Sequence, residues 1–199
     1  RIEDNQFYHV YNRGNDRELI FRDDSDYFTF LLKMASLAER YSVVVPIYTL
    51  MPNHYHLIVR QQAGGSVSGM IGPLATSSAR RYNLRYHHVG HVFQGPFRYK
   101  LVPQDDLWYV ACYIHLNPVR AGMVKKPEEW SFSNFSEFVE DLSIRFPSAD
   151  VQVEKKETVS SDFWDGYGEY VGNLLKDQLE EELFWKRLQA HTKGFLPPG

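Results

Sequence analysis

The alternation of apolar and polar positions divides the first two thirds of the chain into a regular succession of strands and helices. Phe7 to Arg13 is rich in aromatic and β-branched residues and stops at Gly14-Asn15-Asp16, which predicts a strand closed by a turn. From about Asp26 to Arg40, Tyr27, Phe30, Leu31, Met34, Leu37 and Ala38 recur at three- and four-residue spacing, the stripe of an amphipathic helix. Asp23, Asp24 and Ser25 offer oxygens to cap its start. Val43 to Leu50 and Tyr55 to Arg60 read as strands separated by Met51-Pro52-Asn53, a hairpin. A loose Gly/Ser stretch, Ala63 to Gly72, leads into a helix near Pro73 to Tyr86, and Phe97 to Val102 forms a further strand closed by Pro103. Asp105 and Asp106 open another helix, with Leu107, Val110, Ala111 and Ile114 as its apolar stripe and Pro118 setting its end. The order β-α-β-β-α-β-α predicts an α+β fold, a ferredoxin-like or RRM-like sandwich in which helices pack on a mostly antiparallel sheet.

Beyond Ser136 the pattern changes. A polar linker, Ser148 to Ser160, precedes a helical segment from near Tyr167 to Ala190 whose apolar positions include Leu174, Leu175 and Leu183. The expected organisation is one folded domain over residues 1–136 and an acidic linker with a helical C-terminal extension over 137–199. With 43% hydrophobic residues the chain can bury a sizeable core, which excludes wholesale disorder. No apolar run approaches the roughly 18 to 20 residues of a membrane span. The single cysteine, Cys112, can make no intrachain disulfide and no zinc motif, so a reducing, cytoplasmic setting is expected.

The net charge of −3 conceals a segregation. No acidic residue stands between Glu39 and Asp105, while Arg40, Arg60, Arg80, Arg81, Arg85, Arg98 and Lys100 give that stretch seven positive charges. Residues 137–199 hold 13 acids against 7 bases, a net of −6, which leaves +3 on residues 1–136. A basic body suits a polyanionic partner, although a solvated basic face is the equal reading on charge alone. The acidic tail is expected to shield the basic face when no nucleic acid is bound.

Two constellations carry chemistry. In His54-Tyr55-His56 residues two apart on a strand share a face, so two imidazoles can converge on one divalent metal; two ordinary polar histidines are the alternative. On the helix opened by Asp105, Asp106, Tyr109, Tyr113 and Asn117 gather along one flank at 100° per residue. A phenol there can attack phosphorus and an amide oxygen one turn on can reach a metal; equally, the tyrosines can be packing aromatics and Asn117 a helix end.

The run Leu50-Met51-Pro52-Asn53-His54-Tyr55-His56-Leu57-Ile58-Val59, followed far downstream by Tyr113-Ile114-His115-Leu116-Asn117-Pro118-Val119-Arg120-Ala121-Gly122, resembles the single-tyrosine transposase superfamily of insertion-sequence 200-like proteins, built on a histidine-hydrophobe-histidine (HUH) motif. Tyr11-Asn12-Arg13-Gly14, Phe93-Gln94-Gly95 and Trp130-Ser131-Phe132-Ser133 are most similar to the REP-associated tyrosine transposase branch. The resemblance spans about Phe7 to Phe135. It implies a single-stranded DNA endonuclease and strand transferase that uses Mg²⁺ or Mn²⁺, forms a 5′-phosphotyrosine intermediate and acts at hairpin or palindromic repeats. Tyr113 falls on the family's nucleophile, His54 and His56 on its metal ligands, and Asn117 on the polar residue that completes the metal site. Tyr55, at the motif's centre, would be a sheet core residue.

Phosphate contacts are expected from Arg80, Arg81, Arg85, Arg98 and Lys100, with Tyr82, Tyr86 and Phe97 stacking on unpaired bases. Arg13 and Arg120 match basic positions of the family motifs. The family commonly has a basic residue directly after the Gln-Gly pair; here Pro96 stands there, and Arg98 follows two residues later. Single-stranded or hairpin DNA is thus the expected partner, with no membrane. A monomer and a homodimer are both compatible, since in some relatives the partner subunit supplies the tyrosine helix. Two rival readings differ in class: a non-catalytic DNA-binding regulator on the same fold, and an H-x-H metal hydrolase, whose usual barrel needs about 250 residues.

Overall fold

The computed structural model describes residues 1–136 and Phe138. The linker expected over Ser148 to Ser160, the helix expected over Tyr167 to Ala190 and nearly all of the extension over 137–199, with its shielding role, lie outside the described residues. The chain divides into two compact units, Arg1–Leu101 and one that begins at Val102.

The first unit is organised around a four-stranded sheet. Its elements run β1 (Phe7–Arg13), α1 (Asp24–Arg40), β2 (Val43–Met51), β3 (His54–Gln61), α2 (Val67–Tyr86) and β4 (Arg98–Val102), and the strand order is β2-β3-β1-β4. β3 pairs antiparallel with both β1 and β2. That order, from a β-α-β-β-α-β chain, is the ferredoxin-like arrangement expected from the sequence. No helix among the described residues is long and apolar enough to cross a membrane.

In this register Tyr11 stands opposite His56 and Thr49 opposite the same histidine on its other side. Side chains alternate along a strand, so His9, Tyr11, Arg13, Thr49, His54 and His56 share one face, while Tyr8, Val10, Leu50, Tyr55 and Leu57 share the other. The second set forms the core against the helices. Tyr55 is fully buried with its ring 5.2 Å from that of Phe30 on α1, as expected of the motif's central residue. Phe21 stacks on Tyr27 at 4.4 Å and meets the edge of Phe30 at 5.2 Å. Burying each such ring is worth about 1.5–3 kcal/mol.

Two boundaries differ from the sequence expectation. α2 starts at Val67, six residues before Pro73, because Ser66 caps it: its Oγ accepts from the Gly69 N–H at 2.9 Å. The Gly/Ser composition suggests a loop, but Val67, Met70, Ile71 and Leu74 lie at i, i+3, i+4 and i+7 and are all fully buried. Packing of that stripe outweighs weak propensity, and Pro73 sits inside the helix at an exposed position. The hairpin break is also shorter than expected. Met51 pairs with His54, so only Pro52 and Asn53 link the strands and His54 belongs to β3. β2 carries an irregularity between Val44 and Ile47, where Pro46 has no N–H to give a ladder.

The tight turn is tied to the loop after β1. The carbonyl of Pro52 accepts from Ile20 N–H at 2.8 Å and Phe21 N–H at 3.0 Å, and that of Asn53 accepts from Gly14 N–H at 2.8 Å. Gln94 N–H donates to Arg13 O at 2.9 Å, and Asn12 Nδ2 donates to Gly95 O at 3.1 Å. Three motifs far apart in sequence therefore meet around Gly14. A Cβ added there would press into the Glu18 carbonyl oxygen, closer than side chains tolerate, and would touch Ile20 at 3.0 Å. Its φ of −60° suits any residue, so the requirement for glycine is steric. Gly14→Ala is expected to lower stability by about 1–3 kcal/mol, read as a reduced urea midpoint at unchanged slope.

In the second unit the helix opened by Asp105 and ended before Pro118 is present as expected, and a further short helix follows it. One 3-10 turn, Gln104–Asp106, leads into α3 (Leu107–His115), and α4 (Asn117–Arg120) follows after Leu116. Pro118, which lacks an N–H, sits at the start of α4 and prevents a continuous hydrogen-bond ladder.

Candidate active site

His54 and His56 project from β3 on one face, their ring centroids 5.0 Å apart at 87° to each other. Each has its Nδ1 engaged. His54 Nδ1 lies 2.6 Å from Asn53 Oδ1, an oxygen that can only accept, so His54 donates there and keeps its lone pair on Nε2. His56 Nδ1 lies 2.8 Å from Nε2 of His9, and those two rings are nearly parallel at 24°. Sequence spacing singles out the H-x-H pair and misses His9, whose partnership depends on strand register. Asn53, one residue ahead of the pair, also donates through Nδ2 to Arg17 O at 3.2 Å.

Burial keeps these imidazoles neutral. It pushes His54 down to about 4, helped by the charge of Arg13. His56 is held well below the usual histidine range by burial first, then by His9, His54 and Arg13. His9 falls to about 3 through burial and the nearby Lys100 ammonium. Of the expected phosphate contacts, Arg13 and Lys100 thus act electrostatically on the histidine face. Neutral imidazole is the form that ligates metals, and two such nitrogens suit a divalent ion of the Mn²⁺ type while leaving other positions open. Mg²⁺ favours oxygen and would rely more on substrate phosphate and water. Among the described residues no group of three or more His, Cys, Asp or Glu side chains is placed to hold a metal. Two imidazole nitrogens would leave a divalent ion's remaining positions to oxygen donors such as an amide, a phosphate or water.

Tyr113 and Asn117 stand in the second unit, the histidine pair in the first. Tyr113 is on the last turn of α3 and is buried, with the Arg120 guanidinium 5.5 Å from its ring centre. Asn117 Nδ2 donates to the Tyr113 carbonyl at 2.9 Å and reaches that of Ile114 at 3.5 Å, closing the helix end that Pro118 interrupts. Oδ1 is then the atom a metal could use. His115 is buried against Phe135 and Phe138 with Nε2 3.1 Å from Asn134 Oδ1, and burial pushes it down to about 4. It is a packing residue of its unit.

The arginines of α2 do not all face solvent alone. Arg85 Nη1 donates to Asp26 Oδ1 at 2.8 Å and to Asp23 Oδ1 at 3.0 Å, while Arg81 Nη2 donates to Ser25 Oγ at 2.9 Å. Asp26, buried at the start of α1, also accepts from Arg22 N–H at 3.0 Å and Tyr86 Oη at 2.6 Å. The acid-free stretch thus draws its counter-charges from α1, which charge counting along the chain cannot see. Tyr82 is buried with Arg22 5.1 Å over its ring, so the expectation that it stacks on bases gives way to a packing role. Arg80 and Arg98 are exposed.

Buried histidines that stay neutral below their ordinary value make the unfolded chain bind more protons, so stability falls as pH drops from about 6.5 toward 4. Each costs about 1.4 kcal/mol per pH unit within that window. Urea unfolding of metal-free protein at pH 7.5, 6 and 5 checks this; a flat profile contradicts it. Asp26→Ala strips Arg85 and Tyr86 of a shared acceptor and is expected to cost about 1–3 kcal/mol in the same measurement.

The H-x-H strand pair stands on a ferredoxin-like sheet, and a Tyr-x₃-Asn-Pro segment follows it in the chain. Residues 3–117 match the family model described as "Transposase IS200 like", and the chain belongs to that family. Among solved structures it is similar to a REP-associated tyrosine transposase bound to a REP hairpin, at 17% identity and a TM-score of 0.61, covering 70% of this chain and 82% of that one. A putative transposase from Deinococcus radiodurans matches at 17% identity with a TM-score of 0.42, over 54% of this chain and 87% of that one. The search of curated proteins finds no match.

Proposed function

We propose that the protein is a metal-dependent single-stranded DNA endonuclease and strand transferase of the REP-associated branch, working at hairpin or palindromic repeats. The observation that carries this reading is the pair of neutral histidines with both Nδ1 atoms engaged, on a face under the charge of Arg13 and Lys100. Family membership supports DNA processing, and the hairpin bound by the similar solved transposase supports hairpin DNA as the substrate. Residues 1–136 would form the catalytic domain, and 137–199 an extension.

His54 and His56 would hold Mg²⁺ or Mn²⁺ through Nε2; Asn117 is carried over as a further ligand only by its match to the family motif. Bound there, the ion would supply Lewis-acid polarisation of a non-bridging phosphate oxygen. Tyr113 Oη attacks phosphorus in line; the P–O bond to tyrosine forms as the bond to the 3′-oxygen breaks, and that oxygen leaves protonated as a 3′-hydroxyl. The phenolic proton is lost in the same exchange, so no net proton is consumed. Because the ester retains the bond energy, a second 3′-hydroxyl can reverse the attack and join strands without ATP. Arg13, Arg80, Arg98, Lys100 and Arg120 would contact phosphates; Arg81 and Arg85 would do so only by sharing their charge with Asp23 and Asp26.

The protein is mixed with labelled single-stranded and hairpin oligonucleotides plus Mn²⁺, Mg²⁺ or chelator. A denaturation-resistant adduct on the 5′ side of the cut is expected, lost with chelator and in Tyr113→Phe. Binding across a broad hairpin set without any adduct would instead establish the non-catalytic regulator.

A further inference from the structure

His9 has no place in the H-x-H motif, yet the sheet brings it to one of its histidines. It pairs across β1 and β3 with Ile58, which makes it the diagonal neighbour of His56. Diagonal positions lie about 7–8 Å apart, within reach of aromatic side chains. Here that reach is used: His9 Nε2 is 2.8 Å from His56 Nδ1, and the ring centroids are 5.0 Å apart. Both residues are buried, so the contact is shielded from competing water.

One hydrogen lies between these two ring nitrogens, and there are two ways to place it. If His9 donates, neutral His56 must carry its own proton on Nε2, and that nitrogen has no lone pair for a metal. If His56 donates from Nδ1, its Nε2 keeps a lone pair that can coordinate and His9 carries its proton on Nδ1. His54 meets the same requirement through Asn53 Oδ1, which accepts and never donates. We propose that His9 is a positioning residue that accepts from His56 Nδ1–H, fixing the tautomer and ring orientation in which His56 Nε2 can ligate a divalent cation. The inference rests on the reading of His54 and His56 as metal ligands and extends it to a third histidine on a different strand. Partners that hold the second nitrogen of a ligating histidine typically govern metal affinity by 10–100-fold.

The test uses the full chain and Mn²⁺ alone, without DNA. ¹⁵N NMR of the metal-free wild type is expected to show the His56 proton on Nδ1. His9→Phe, which keeps the ring and removes the acceptor, is expected to weaken Mn²⁺ binding by about 10–100-fold, measured by electron paramagnetic resonance of free Mn²⁺. His9→Gln, whose amide oxygen can accept, is expected to recover most of that loss, which a purely space-filling role would not do. A wild-type His56 protonated on Nε2 overturns the proposal, as does folded His9→Phe binding Mn²⁺ like wild type. Should His9→Phe fail to fold, the wild-type tautomer still decides. His54→Ala and His56→Ala separate the two levels. If both keep wild-type Mn²⁺ affinity, the metal reading itself falls; if both lose it while His9→Phe retains it, only the role of His9 falls.

Discussion

Everything on the histidine face depends on how tightly β2 and β3 are joined. Two residues make the link, and the carbonyls of both are taken by the loop that follows β1. A longer link would let β3 slip, and a slip of one residue would turn His54 and His56 into the helical core and Tyr55 out of it. The turn is therefore a register lock. Gly14 lets the loop come close enough to close it, since the Glu18 carbonyl occupies the space where a side chain would stand. Asn53 completes the arrangement by bonding to the loop with one side-chain atom and to His54 with the other.

Electrostatics on that face are a balance of two opposed demands. A site for a cation is best kept free of positive charge, whereas a site for phosphate needs it. Working as proposed, the protein would meet both: burial removes the imidazoles' tendency to become cations, and the fixed charges of Arg13 and Lys100 lie beside them. The same burial that makes the histidines suitable ligands makes the folded state sensitive to acid.

Much of this was legible in the chain. The alternation in Phe7 to Arg13 and Tyr55 to Arg60, and the helical stripe from Tyr27 to Leu37, place β1, β3 and α1 to within a residue or two. The H-x-H spacing places both histidines on one face because strand periodicity is local. His9 was not legible, because its role comes from a cross-strand diagonal that only the register defines. The start of α2 was hidden for a different reason: Gly65, Ser66, Ser68, Gly69 and Gly72 read as loop, and the burial that overrides them is a tertiary property. Asn117-Pro118 reads in the sequence as a helix end, and the side chain of Asn117 is what finishes α3 before α4 begins.

The pairing of α2 with the start of α1 bears on how this molecule would sense salt. Affinity for nucleic acid falls with ionic strength in proportion to the counterions that protein cations displace from the polymer. An arginine already neutralised by a neighbouring carboxylate displaces few, because its approach brings an anion along. Arg85 and Arg81 carry Asp23 and Asp26 with them. The acid-free stretch would consequently behave, in a titration against salt, as a surface with fewer cations than its sequence contains.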